Sequence, residues 1–411
     1  MSPGSRPIRV LRLRSVDGPG GGPERTIYSS TAAQDGAQIR TTLVYLRPPG
    51  PFWLAERARE AGLDYREIPD QHAFDPRAWL RLTTLVRSEP FDLIHSHDYK
   101  TDALMLWLSR IGLSRIGPWR TARRPPATLS SVHSFDAHLA RGWHRQRIYA
   151  ALRRRLLPTF DRVIAVSRGL ERRLVELGIP AEKIEVLVNG VDTERFQPRP
   201  ELRSEIRAEL GLEDRHEVVG TFGRLARVKR VDRLLRAVAR LQQKRPELHC
   251  VLAGDGPLRQ RLEQQARDLG IAQRCRFLGH RPRIERLHAA LDVFVSTSSW
   301  EGLPNAVLEA MASGVPLIAT RVDGNDEVFE PGVSGEAIGD SLDSEGGELV
   351  LALDRLLEDR ERASRLANAA RTRVLRRFSA AAMHRRLAQV YREIFDREVF
   401  DRELVDGSQR G

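Results

Sequence analysis

Apolar and polar positions along this chain fall into two kinds of run that alternate. Short stretches rich in branched apolar residues are followed by longer ones with apolar residues three and four apart. "IRVLRLRSV" leads through a glycine loop to a helical stretch, "RTTLVYLRP" leads to "PFWLAERAREAGL", and "FDLIHSHD" leads to "KTDALMLWLSRI". "ATLSSVHS", "RVIAVS" with the helical "RGLERRLVELG", and "IEVLVN" extend the series. Strands separated by helices predict a parallel sheet covered on both faces. The pattern stops in a segment rich in Pro, Arg and Glu around 193–215 and then restarts. "VVGTFGRL" precedes "KRVDRLLRAVARLQQ", "LHCVLAGDG" precedes "LRQRLEQQARDLG", and "CRFLGH" precedes "RIERLHAAL". "DVFVSTS", one more helix and "VPLIATR" complete the second series, and long helical stretches run from about Gly346 to the end.

The expected architecture is therefore α/β, with two Rossmann-like doubly wound domains facing across a cleft. The expected boundaries are 1–195, 196–378 and a C-terminal helical segment at 379–411, with a disordered tail from Asp406. Ligands of such folds bind beyond the carboxyl ends of the strands, so the loops that follow strands hold the candidate chemistry.

Composition narrows the picture. The chain has 411 residues, and no run of eighteen apolar residues that would span a bilayer. Its start, "MSPGSRPIRVLRLRSVDG", lacks the apolar core of a secretory signal. Two cysteines, Cys250 and Cys275, make no disulfide framework and fit a reducing cytoplasm. The net charge is +12, and only four of the 67 basic side chains are lysines. Eleven arginines face one acid, Asp136, between Arg110 and Arg155. Overlapping its end, 141–158 mixes arginines with Trp143, Ile148, Tyr149 and leucines at helical spacing. It reads either as a helix resting on an anionic membrane or as a packed helix with a solvated basic face. No helix-turn-helix, zinc or aromatic-basic module accompanies the charge, so no nucleic-acid partner is expected.

Three loops carry the chemistry. After the first strand, "DGPGGGPER" removes side chains at Gly20, Gly21 and Gly22 before a helix expected to begin at Pro23, where free N–H groups attract anions. Its spacing is not that of a dinucleotide fingerprint, and no lysine follows a glycine as a Walker loop requires. In "GTFGRLARVKRVDRL", Arg224 and Lys229 lie five apart around a turn, placed to clasp a diphosphate. In "SWEGLPNAVLEAMASGVP", a helix expected from Leu303 or Pro304 to Gly314 presents Glu301 before it and Glu309 within it. No Lys or Arg lies between Arg286 and Arg321, so these carboxylates have no local cation and suit sugar or ribose hydroxyls. His133 ends a strand, and of His95 and His97 strand alternation allows only one to face the cleft. A zinc site from these histidines has no HExxH or cysteine support.

The ordered set "GGPER", "HSHDYKTD", "VIAVS", "VNGVD", "GRLARVK", "LAGDGP", "FLGH" and "EGLPNAVLEAMASGVPLIAT" resembles the retaining glycosyltransferases of the GT-B fold, family 4-like, over roughly residues 9–395. The resemblance implies transfer of a sugar from a nucleotide-diphosphate sugar to a glycan or lipid-linked acceptor, in surface polysaccharide or glycolipid synthesis. It implies that Glu301 contacts the donor sugar and Glu309 the ribose, and that Arg224 and Lys229 hold the leaving diphosphate. It places His133 near the donor sugar, and Gly21, Gly22, Leu278, Gly279, Gly302, Leu303 and Asn305 around the donor. His97, Asp98 and Lys100 fall on the acceptor side, and the C-terminal helices return to the N-terminal domain. No Asp-x-Asp occurs in the chain, so no metal is expected in the site and no cofactor beyond the sugar nucleotide. UDP and GDP remain open as the nucleotide. The expected setting is cytoplasmic, peripheral at the inner membrane face. An inactive sugar-nucleotide-binding or scaffold protein of the same fold, or a nucleotide-sugar epimerase, is the competing reading.

Overall fold

The computed structural model describes the chain except residues 1–5, 17–19, 71–74, 109–125, 134–150, 152–153, 340–346 and 409–411, together with the side chains of 106–107 and 398–408. The basic segment 141–158 therefore lies largely outside the described residues. The chain forms two units, Met1–Val188 with Ala381–Gly411, and Asn189–Ala380.

The first unit holds a parallel sheet of seven strands. They are β1 (Ile8–Ser15), β2 (Ile39–Arg47), β3 (Asp64–Pro69), β4 (Leu93–Ser96), β5 (Ala127–Val132), β6 (Arg162–Ala165) and β7 (Ile184–Val186). Their order is β3-β2-β1-β4-β5-β6-β7, so the chain reverses its direction of travel across the sheet between β1 and β4. One face packs Val10, Leu93 and Leu129 against Met383, Leu387 and Tyr391 of the last helix, Ala380–Ser408. The sequence suggests disorder from Asp406, yet this helix runs through Ser408; "DRELVD" is made of residues that a helix tolerates, with no glycine or proline before Gly407. On the other face Ile27, Leu43, Tyr45 and Phe52 form a second cluster.

The second unit holds β8 (Glu217–Phe222), β9 (Leu248–Ala253), β10 (Cys275–Gly279), β11 (Val293–Ser296), β12 (Leu317–Thr320) and β13 (Glu336–Ile338). All are parallel in the order β10-β9-β8-β11-β12-β13, with the reversal between β8 and β11. Its core joins Leu234, Leu235 and Val238 of one helix to Cys250 and Leu252 of β9 and Leu353 of a later helix. Cys250 and Cys275 are buried register partners with free thiols.

Each reversal opens a crevice where adjacent loops depart to opposite faces of the sheet. Both candidate sites lie at such crevices.

Candidate active site

In the second unit the loop after β8 carries Arg224 and the loop after β11 carries Glu301. The first loop is fixed against its neighbour after β9. Leu225 N donates to Asp255 O at 2.9 Å, and Leu258 N donates back to Leu225 O at 3.0 Å. Gly254 makes this stacking possible, since a Cβ there would lie 1.9 Å from Gly223 O. Gly279 closes the row by accepting from Gly254 N at 2.8 Å. Arg224 projects from this rigid turn with its side chain exposed.

Past Arg224 the chain makes a single 3-10 turn, Arg227–Lys229, and enters the helix Val231–Leu241 through Arg230 at φ 46°. Arg230 is the one non-glycine residue with positive φ among the described residues, a conformation that a side chain disfavours. Hydrogen bonds from the opposite loop hold it. Thr297 Oγ1 lies 2.9 Å from both Lys229 O and Arg230 O, and Ser299 N donates to Val228 O at 2.9 Å. This clasp brings Lys229 Nζ to 2.6 Å from Glu301 Oε1.

That ion pair corrects one expectation. Glu301 has no cation nearby in sequence, but Lys229 reaches it from the loop of another strand. The pocket lined by Thr221, Arg224, Lys229, Ser298, Glu301 and Pro304 gathers three of the four charged residues singled out on this unit. Glu309 is not on its wall; it is buried, 7% exposed, on the helix Asn305–Ala312. That helix begins slightly later than expected, because Pro304 takes the cap position, and no side chain caps it. Asn305 Oδ1 accepts from Asn189 Nδ2 at 3.4 Å. Gly302 and Leu303 are buried, and the backbone of Glu301–Gly302 meets Gly324 so closely that a Cβ there would sit 2.7 Å from Glu301 O. Leu278 and Gly279 end β10, two strands away from β8. Thr297, Ser299 and Gly254 were not singled out from sequence; the hydroxyl run "STSS" at the end of β11 was the available signal for the first two, and the glycine of "LAGDGP" after β9 for the third.

In the first unit the crevice collects the loops after β1 and β4. The helix there starts at Gly22, one residue earlier than expected, and Glu24 reaches back so that Gly21 N donates to its Oε2 at 2.5 Å. Glu24 also pairs with Arg14 at 3.0 Å. The Gly21 N–H is thus satisfied within the chain. Asp98 caps the helix Tyr99–Trp107 by accepting from Lys100 N and Thr101 N, and it also holds Ser15 N at 2.7 Å. Burial raises its pKa from the ordinary carboxylate value. Lys100 is ion-paired with Asp70. The expectation that only one of His95 and His97 can face the crevice fails, because residues two apart share a face of a strand; β4 ends at Ser96 and His97 follows on the same side in the turn beyond it. Their rings lie 4.0 Å apart, both buried, and His97 stacks on His133 at 5.4 Å.

Burial, with the nearby Arg12 charge, holds His95 well below its ordinary pKa of 6.5. His97 is lowered in the same way by burial, then by His95 and Arg12. Folded rings that stay neutral bind fewer protons than unfolded ones below pH 6.5, so their contribution is complete above that value and declines as pH falls. Each ring contributes a slope of up to about 1.4 kcal/mol per pH unit. Urea unfolding followed by tryptophan emission reports chiefly on this unit, which contains five of the six tryptophans. Its midpoint is expected to fall steeply from about pH 6.5 to about pH 5.5 and little from about pH 7.5 to about pH 6.5. Equal midpoints at the two lower values would show that the buried rings are not neutral.

Among the described residues no helix is long and apolar enough to cross a membrane, and no three His, Cys, Asp or Glu side chains are grouped to hold a metal. Residues 20–195 match the glycosyltransferase family 4 profile, and 203–373 match glycosyl transferases group 1. A GDP-mannose-dependent alpha-(1-6)-phosphatidylinositol monomannoside mannosyltransferase of Mycolicibacterium smegmatis is 32% identical over 75% of this chain and 82% of its own. A UDP-Gal:alpha-D-GlcNAc-diphosphoundecaprenol alpha-1,3-galactosyltransferase of Escherichia coli is 30% identical over 61% of this chain and 63% of its own. The fold matches Anabaena HepE, crystallised with UDP and glucose, with a TM-score of 0.79 at 23% identity over 94% of this chain and all of that one. With two matching profiles in sequence order and a relative of this identity and coverage, the chain belongs to the group 1 glycosyltransferases, with an N-terminal half of the family 4 type.

Proposed function

We propose that this glycosyltransferase moves a hexose from UDP- or GDP-sugar to a lipid-carried glycan, with retention at the anomeric carbon and without a metal ion. The observation that carries the reading is the meeting of Arg224, Lys229 and Glu301 at the β8–β11 crevice. Two cations and a helix start can take the charge of a departing diphosphate, and preorganised charge of this kind is usually the largest catalytic contribution. Glu301 is set to accept from hydroxyls of the transferred sugar, Glu309 from those of the ribose. The base is assigned to the backbone near Leu278 and Gly279, and Gly302, Leu303 and Asn305 to the rest of the donor cradle.

His133, in this reading, is a catalytic residue beside the donor sugar, and His97, Asp98 and Lys100 belong to the acceptor side. The acceptor attacks the anomeric carbon on the face that the diphosphate leaves, and the departing phosphate oxygen takes the acceptor's proton. Trapping of a covalent glycosyl-enzyme would overturn that step. The relatives named above act on a phosphatidylinositol mannoside and a diphosphoundecaprenol-linked sugar, which favours a lipid-carried acceptor and a peripheral place at the cytoplasmic membrane face.

Calorimetric titration of UDP, GDP and ADP in the presence of EDTA tests the donor site. One nucleotide is expected to bind without metal, naming the donor class. Binding that appears only when a divalent ion is restored would remove the metal-free reading.

A further inference from the structure

Arg12 lies inside the first unit on β1, 2% exposed, and its guanidinium donates to three neutral acceptors. These are Ser30 Oγ at 2.8 Å, Thr31 Oγ1 at 3.0 Å and His97 Nε2 at 3.2 Å. The two hydroxyls donate their own protons to Ile27 O, at 3.1 and 2.8 Å, so their lone pairs are what Arg12 meets. A guanidinium has five donors, no acceptor and no tendency to deprotonate. The bond to His97 therefore has one direction: Arg12 Nε–H donates and His97 Nε2 accepts.

A neutral imidazole that accepts at one nitrogen carries its proton on the other. His97 thus carries it on Nδ1, which lies 3.1 Å from His133 Nε2. This second bond is then also directional, with His97 donating and His133 accepting. The proton of His133 is left on its own Nδ1. His95, although its ring lies 4.0 Å from that of His97, does not compete, because its nitrogens meet the hydroxyls of Tyr391 at 2.7 Å and Ser131 at 2.8 Å.

We infer that Arg12 and His97 are positioning residues that lock His133 as the Nδ1–H tautomer, a hydrogen-bond donor toward a substrate oxygen and not a proton acceptor. The chemical content is specific. His133 cannot take the acceptor's proton on Nε2 without breaking its bond to His97, so the ring serves a lone pair on a sugar or acceptor hydroxyl. The role toward substrate rests on the reading of His133 as a site residue given above; the tautomer does not.

The test reads the tautomer directly, in the full chain without any ligand. Long-range proton–nitrogen spectra of protein carrying nitrogen-15 histidine distinguish Nδ1–H from Nε2–H rings, with His133→Asn and His97→Asn used to assign the signals. Both His97 and His133 are expected as Nδ1–H, and an Nε2–H signal from either overturns the inference. His97→Asn keeps an N–H donor at the position of Nδ1 and is expected to leave His133 as it is. His97→Gln moves the amide to the position of Nε2 and is expected to release His133 into the Nε2–H form. An unchanged His133 signal in His97→Gln would show that His97 does not set it. Arg12→Met should release both rings, and the His97 pair carries the test if that variant does not fold. Failure of nucleotide binding in the calorimetric titration would remove the donor-site reading while leaving this result intact.

Discussion

Replacing Lys229 with alanine is expected to cut sugar transfer by roughly a hundredfold to a thousandfold, equivalent to about 3–4 kcal/mol on the barrier. The loss has two sources. The ammonium is one of two cations proposed to take up charge on the leaving diphosphate. It is also the partner of Glu301 at 2.6 Å, and the two side chains are 31% and 11% exposed. Its removal leaves a mostly buried carboxylate that repels the diphosphate. The double variant Lys229→Ala with Glu301→Gln should therefore bind nucleotide diphosphate more tightly than Lys229→Ala alone, while transfer stays low because the sugar has lost its acceptor. Turnover assays and calorimetry on the wild type, both single variants and the double separate these effects. Near-normal turnover in Lys229→Ala would sink the assignment of Lys229. Equal nucleotide affinity in single and double variants would show that the ion pair does not govern the site.

The second large effect is expected from a residue with no chemistry of its own. Gly254→Ala places a methyl group 1.9 Å from Gly223 O, at a backbone φ of 132°. The obstructing atom is main chain, so no rotamer change relieves the contact. Strain and overpacking together should cost about 3–5 kcal/mol in stability. Gly223 directly precedes Arg224, so protein that still folds should also bind nucleotide diphosphate less well. Gly270→Ala is the control, with φ 69° and no atom within 4 Å of the added group. It is expected to cost only about 1 kcal/mol in urea unfolding followed by circular dichroism. A Gly254→Ala protein no less stable than Gly270→Ala would mean that the two loops are not stacked as described.

The fold was readable because inner strands of a parallel sheet are covered on both faces and appear as apolar runs between helices. The strands without such a signature lie at the edges. β3, "DYREIP", is polar and half exposed, and β13 has three residues. The site was partly readable. Arg224, Lys229 and Glu301 were marked by their loops, but the pairing of Lys229 with Glu301 spans 72 positions and left no local trace. Arg12 shows the opposite difficulty. In "RLR" the two arginines, two apart, look like a solvated face, yet the helix Gly22–Gln34 covers it and turns Arg12 and Arg14 into interior donors.

The last helix gives the N-terminal unit a dependence on the order of synthesis. Met383, Leu387, Val390, Tyr391 and Ile394 fill one face of the first sheet, each worth about 1.5–3 kcal/mol when buried. These residues leave the ribosome only after the whole stretch 189–380 has been made. At about 5–20 residues per second that interval is about ten to forty seconds. The first half to emerge is thus the last to close its core, and until then it exposes Val10, Leu93 and Leu129. A nascent chain paused before Met383 is a species for a chaperone to shield, and a message truncated there would yield an intact C-terminal unit joined to an N-terminal one that stays open.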